Sequence, residues 1–260
     1  MATATLAASS ACEPTDGFDL HPDVVALAIL LVAGESEARM LAVHPHRQPG
    51  DAAPQIAATL EGPGWKAAFS RTLEPEACDG LLPGPAPSIC LGATPPEAIR
   101  PGGGYGIRGT APLGAFTGEM RFPTPPLLAE PADTLRLTGR DVRFRTLPVP
   151  MRYRVPADVG TLLAELYDFA GEYRLPDRYA MVDRGTTGDT LQIYPVDVPV
   201  HFSLRLLGIG WHYTHFVKHI GVDHPLLRPW PGFGIEGEGV YGYFDGATPS
   251  RAARILVESR

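Results

Sequence analysis

Twelve prolines fall between Pro75 and Pro131. Proline lacks a backbone N–H and locks φ, so it interrupts helices and is excluded from the paired interior of a sheet. That density leaves room only for short elements. The stretch reads as an extended, loop-rich excursion with short strands near Ile107 and over Phe116–Phe122, either wrapping a partner or another part of the fold, or linking two halves. Across the chain glycine occurs 29 times and proline 28 times in 260 residues, without a collagen period. Many turns and few long helices follow. The fold class expected is α+β: strand-rich, mainly antiparallel sheet, few helices, long Pro/Gly-rich loops.

Two helices are expected. Val24–Ala33 is apolar on every side, with Pro22 near its start and Gly34 just past its end, the usual start and stop signals of a buried helix. Asp158 reads as the cap of an amphipathic helix in which Val159, Leu162, Leu163, Leu166, Phe169 and Tyr173 recur at helical spacing, with Gly171 near its end. Strands are expected at Thr3–Ala8, Arg39–His44, Tyr179–Val182, Thr190–Tyr194, Val198–Leu206, Trp211–Ile220, Val240–Phe244 and Arg254–Val257.

The net charge is −7, unevenly placed. Residues 1–133 hold 7 Lys+Arg against 15 Asp+Glu; residues 134–260 hold 15 against 14. We therefore divide the chain into an acidic part, 1–133, and a strand-rich part, 134–260, which together can still form a single domain. The acidic part repels free nucleic acid, while the second part retains enough cations for a shaped anion site. Cys12, Cys78 and Cys90 form no CxxC pair, and an odd count suits a reducing compartment better than a disulfide framework. The opening residues lack a basic region followed by a long apolar run, and Val24–Ala33 is about half the ~20 residues a membrane helix needs. A cytoplasmic protein without a membrane partner is the plain expectation.

His201, His212, His215, His219 and His224 lie within 24 residues. On a helix, His212, His215 and His219 share one face and form a candidate metal site. On a strand, His215 and His219 stand about 13 Å apart at ~3.3 Å per residue, too far to share a metal. The strand reading is the stronger: Trp211, Tyr213, Thr214, Phe216, Val217 and Ile220 all favour strands, and 198–206 alternates apolar and polar residues. With Leu207–Gly210 as a turn, 198–220 forms a hairpin. Its wet face then gathers His201, Arg205, His212 and Lys218, with His201 or His212 available for proton transfer. His215 falls on the apolar face as a core histidine. The plainer reading of such a face is ordinary solvated sheet.

Six arginines lie between Arg136 and Arg154. Arg143 and Arg145 share one side of a strand, and Arg152 and Arg154 flank Tyr153. Guanidinium forks suit phosphates and aromatics suit bases; a solvated strand face balanced by nearby acids is the alternative. GxGxxG occurs at 104–109, 232–237 and 237–242, never opening an evident helix, so a dinucleotide fold lacks its strand–turn–helix context. Gly234, Gly237 and Gly239 instead suit positive φ or close backbone approach to a ligand.

The run PGFGIEGEGVYGYF resembles the glycine-rich loop near the C-terminus of CRISPR-associated RAMP proteins, ferredoxin-like RNA binders of crRNA complexes. The expected β–α opening, Thr3–Ala8 then Val24–Ala33, is similar to their first two elements. The resemblance covers about 45 residues and implies an RNA-binding subunit with protein partners. Three functions are carried forward. The first is a binding subunit for RNA or another phosphate-bearing ligand within an assembly. The second is a small-molecule enzyme using histidine acid/base or His-bound metal chemistry. The third is a structural scaffold. No GxSxG or Cys–His nucleophile signature points to covalent hydrolysis, and the sequence names no cofactor.

Overall fold

The run 25–32 is a strand, β1 (Val25–Val32), in a computed structural model that describes residues 21–78, 81, 86–138, 147–170, 179–193, 199–220 and 232–258. Val25, Leu27, Ile29 and Leu31 point to one side with no exposed surface, while Ala26 and Ala28 are buried on the other. A strand covered on both faces is apolar all round, as a buried helix is, and periodicity cannot separate the two. This corrects the helix expected over Val24–Ala33 and removes the helical half of the expected β–α opening; Thr3–Ala8 lies outside the described residues. Each of the four large side chains gains roughly 1.5–3 kcal/mol from burial.

The described elements that follow are β2 (Ala38–Val43), β3 (Ala57–Gly62), β4 (Trp65–Ala68), β5 (Arg71–Thr72), β6 (Ser88–Ala93), β7 (Gly104–Ala111), β8 (Gly114–Arg121), β9 (Leu127–Glu130) and β10 (Thr134–Thr138). Then come β11 (Leu147–Arg154), β12 (Thr161–Ala170), β13 (Tyr179–Met181), β14 (Gly188–Ile193), β15 (Val200–Ile209), α1 (Trp211–Ile220), β16 (Ile235–Gly237), β17 (Val240–Pro249) and β18 (Ala253–Glu258). The fold is thus mainly β, and the α+β class is corrected accordingly. The long sheet runs β10-β18-β15-β17-β1-β2-β6-β5, with β12 attached to β15 and β13 to β12. One end packs on the sheet β16-β8-β7-β3-β4 around Leu27, Leu60, Ile107 and Phe116. The other packs on β14-β11-β9 around Leu147, Leu162, Leu204 and Ile255. The long sheet therefore serves two sandwiches, and it draws strands from both 1–133 and 134–260.

β1 pairs with β17 in parallel from Val25↔Val240 to Val32↔Ala247. Gly242 sits at φ +124°, and a Cβ there would lie 1.9 Å from the Leu27 carbonyl oxygen. Only glycine lets the two strands approach at this point.

The prolines bracket strands rather than forming a loop excursion. Pro87 precedes β6, Pro95, Pro96 and Pro101 separate β6 from β7, Pro112 lies in the β7–β8 turn, and Pro123, Pro125 and Pro126 precede β9. Within β11, Pro148 and Pro150 fall where only β14 is paired, because β9 reaches only Arg152–Arg154. Cys78, in the 3-10 turn Pro75–Cys78, is disulfide-bonded to Cys90 of β6. This bridge runs against the expectation that the odd cysteine count suits a reducing compartment better than a disulfide framework.

The second expected helix is β12. Leu162, Ala164 and Leu166 face the second core at the two-residue period of a strand, and Asp158 caps nothing: it accepts from the Thr124 amide and hydroxyl. Glu165, fully buried, pairs with Arg205 of the neighbouring β15 at 2.5 Å. Arg205 also lies over the Tyr167 ring, 5.0 Å from its centroid. Removing one partner leaves a largely desolvated charge. Glu165→Ala should lower unfolding free energy by roughly 3 kcal/mol, and the double variant with Arg205→Met by less. Urea denaturation of the three proteins measures the difference, and equal losses would contradict a structural ion pair.

Candidate functional site

Residues 211–220 form a helix, not the second strand of a hairpin. Leu207 and Ile209 continue β15, pairing with Leu163 and Thr161 of β12, so Leu207–Gly210 is no turn. The helix starts because a distant residue caps it. Asp245 of β17 accepts the Tyr213 amide on Oδ2 at 2.8 Å and the Gly246 amide on Oδ1 at 2.8 Å. A carboxylate at the first turn satisfies an orphan N–H and the positive end of the helix dipole. Gly210 makes room for it: a Cβ there would lie 2.2 Å from Asp245 Oδ1. Thr214 Oγ1 donates to the Gly210 carbonyl at 3.0 Å, and Phe216 and Tyr213 pack on Tyr243. These contacts override the strand preference of the local residues.

A groove lies between this helix start and the sheet of β7 and β8. One cavity, about 740 Å³, is lined by Tyr105, Phe122 and Trp211 and by the polar residues Glu119, Arg121, Asp158, His212 and Asp245. A second, about 590 Å³, is lined by Glu61, Arg108, Glu119, Gly234, Glu236 and His212. His212 and Glu119 stand where the two meet. The first volume lies within the range of small-molecule sites.

His212 Nδ1 lies 3.0 Å from the Phe244 carbonyl oxygen. A carbonyl only accepts, so Nδ1 carries the proton in the neutral ring and Nε2 keeps its lone pair. Nε2 makes no hydrogen bond among the described residues. The ring lies against Gly234, at φ +73°, where a Cβ would sit 2.4 Å from Nδ1. An imidazole held this way can accept a proton from, or donate one to, a ligand in the groove.

The other expected site residues do not assemble here. His201 is exposed near the far end of β15, about 25 Å of strand from the helix at ~3.3 Å per residue. Arg205 is committed to Glu165. The cationic hairpin face of His201, Arg205, His212 and Lys218 therefore does not exist. Arg152 and Arg154 are exposed beside buried Tyr153, as alternation requires, and Arg152 pairs with Glu130 at 3.5 Å. Arg143 and Arg145 lie outside the described residues. Gly237 and Gly239 pack their backbones on Phe116 and Leu113, so they serve close approach within the protein.

His215 is exposed on α1 rather than in a core, with its ring 5.5 Å from Trp211 and 5.9 Å from Phe233. His212 and His215 lie on the helix that the metal alternative required. The His219 side chain is outside the described residues, and no group of three or more metal-ligating side chains occurs among those described. No helix there is long and apolar enough to cross a membrane.

Sequence reasoning missed Asp245, Trp211, Arg121 and Arg184. The Arg184 guanidinium lies 4.7 Å from the Trp211 ring centroid and Lys218 Nζ 5.8 Å from it. Arg184 sits in the turn between β13 and β14, which Tyr153 Oη holds by donating to the Asp183 carbonyl at 2.6 Å. Nothing in the local sequence signals that contact.

No family model and no curated protein matches the chain. Among solved structures, tandem Ig repeats of Dlar align with 92% of this chain and 100% of their own at 15% identity and a TM-score of 0.33. The N-terminal Ig1-2 module of the Drosophila receptor protein tyrosine phosphatase DLAR aligns with 90% and 99% at 12% identity and 0.33. Chicken CNTN1 FN1-FN3 domains align with 91% and 66% at 11% and 0.23. Scores of this size do not establish a shared fold.

Burial holds the Asp245 carboxyl above its ordinary range, although the Tyr213 and Gly246 amides and His212 pull it down. The folded chain then binds that proton more tightly than the unfolded chain, so this residue's contribution to stability falls as pH rises from the ordinary aspartate value of 3.8 through the folded one. Asp245→Asn cannot ionise. Urea unfolding between about pH 4 and 7 should show the wild type losing stability relative to Asp245→Asn as pH rises. Parallel curves would contradict a raised carboxyl.

Proposed function

We propose that this chain is a structural binding module of an assembly, engaging other proteins rather than tracking RNA. The observation carrying this reading is the use of its cations. Ten Lys and Arg side chains among the described residues hold a carboxylate, including Arg39 and Arg71 on Glu37, Lys66 and Arg108 on Glu61, Arg136 on Glu258 and Arg251 on Asp133. Exposed pairs of this kind contribute little stability. Each nevertheless places a negative group where a phosphate oxygen would lie, on a chain of net charge −7. Continuous backbone recognition of RNA needs the opposite.

β13 supports a protein partner. It pairs only with β12 among the described strands, and its Met181 is 73% exposed. An open strand edge with an apolar side chain suits strand addition by another protein.

The test is a titration of fluorescently labelled single-stranded RNA at about 0.15 M salt, followed by anisotropy. No saturable binding is expected. Chain isolated from its native cells should elute above its own mass, with a protein-only absorbance ratio at 260 and 280 nm. Saturable RNA binding that weakens steeply with salt would overturn the reading, as would co-eluting nucleic acid.

A further inference from the structure

Among the described residues, five cations hold no carboxylate: Arg121, Arg154, Arg184, Lys218 and Arg254. Arg154 and Arg254 stand apart on exposed strand faces. Two of the other three share one aromatic ring, and the third lines the cavity beside it. Arg184 and Lys218 both lie over the Trp211 ring, and Arg121 lines the same cavity as Trp211. Arg184 is only half-exposed, so its charge is partly desolvated without a counter-ion, which costs free energy unless an anion completes it.

We propose that the Trp211 end of the groove is a binding site for a small oxyanion-bearing ligand, a phosphate or carboxylate carrying an apolar body. Arg184, Lys218 and Arg121 supply charge-assisted donors. Protonated His212 supplies another through Nε2, its Nδ1 being committed to the Phe244 carbonyl. Phe122 and the Trp211 edge receive the apolar body.

The acids that line the cavity do not cancel this. Asp158 is held by the Thr124 amide and hydroxyl, and Asp245 by two backbone amides while buried. Glu119 stands at the junction with the second cavity, where Glu61 and Glu236 also lie. Glu61 is held there by Lys66 and Arg108, so Glu119 and Glu236 are the acids of the groove without a described ion pair. The site is also positioned rather than incidental. The Asp183–Thr186 turn is tied down by Tyr153 Oη and by the Gly185 amide donating to Asp183 Oδ1 at 2.8 Å. Trp211 Nε1 donates to the Ala157 carbonyl at 3.4 Å. This inference is separate from the protein-binding reading, which uses the β13 edge.

Calorimetric titration of the full chain with phenyl phosphate at low salt tests the proposal. Saturable binding near the millimolar range is expected, displaced by inorganic phosphate and absent with phenol. Arg184→Gln and Lys218→Gln should each weaken it about tenfold, with unchanged unfolding midpoints, while Arg254→Gln leaves it as it was. No saturation at about 10 mM would overturn the proposal. So would a loss with Arg254→Gln equal to that with Arg184→Gln, or failure of inorganic phosphate to compete.

Discussion

The parallel pairing of β1 with β17 is the contact on which the other features depend. It buries β1 from both sides, one face against the β7–β8 sheet and the other against α1 and the Cys78 turn. It also sets the position of every group at the helix start. Phe244 lends its carbonyl to His212, Asp245 caps Tyr213, and the Phe233 amide donates to the Gly242 carbonyl, drawing Gly234 against the imidazole. The close approach at Gly242 makes this geometry available only to a residue without a side chain.

Strands with one wet face were legible in the sequence. Thr190–Tyr194, Val198–Leu206 and Arg254–Val257 overlap β14, β15 and β18, because alternation marks a half-buried strand directly. The elements misread share a different cause. β1 is dry on both faces, and β12 carries a buried glutamate whose counter-ion lies 40 residues away on Arg205, so its polar position looked like the wet side of a helix. α1 has strand-favouring side chains and no local cap; the carboxylate that starts it is 32 residues downstream of Tyr213. In each case the deciding partner is distant in sequence.

Charge followed the same rule. Counting arginines located cations but not what neutralises them: Arg136 meets Glu258 across 122 residues, and Arg251 meets Asp133 across 118. Of the described arginines in the sequence cluster 136–154, Arg136 and Arg152 hold carboxylates, so proximity in sequence does not measure free charge in space. Conversely, Arg184 and Lys218 come from separate segments and converge on one indole. His212 was singled out from the sequence, but the partners expected for it were not the ones the fold supplies.

Asp245 explains why side chains, rather than the helix itself, face the groove with positive charge. The first turn of α1 would otherwise present free amides to an anion, but a carboxylate already occupies that position. In the proposed site, recognition of an oxyanion therefore falls to the side chains of Arg184, Lys218 and Arg121. Arg184 is placed by a turn anchored on Tyr153, which belongs to the second core, whereas Phe122 and Tyr105 belong to the first. A ligand reaching from the groove across Trp211 to Arg184, as proposed, would therefore touch groups positioned by both cores.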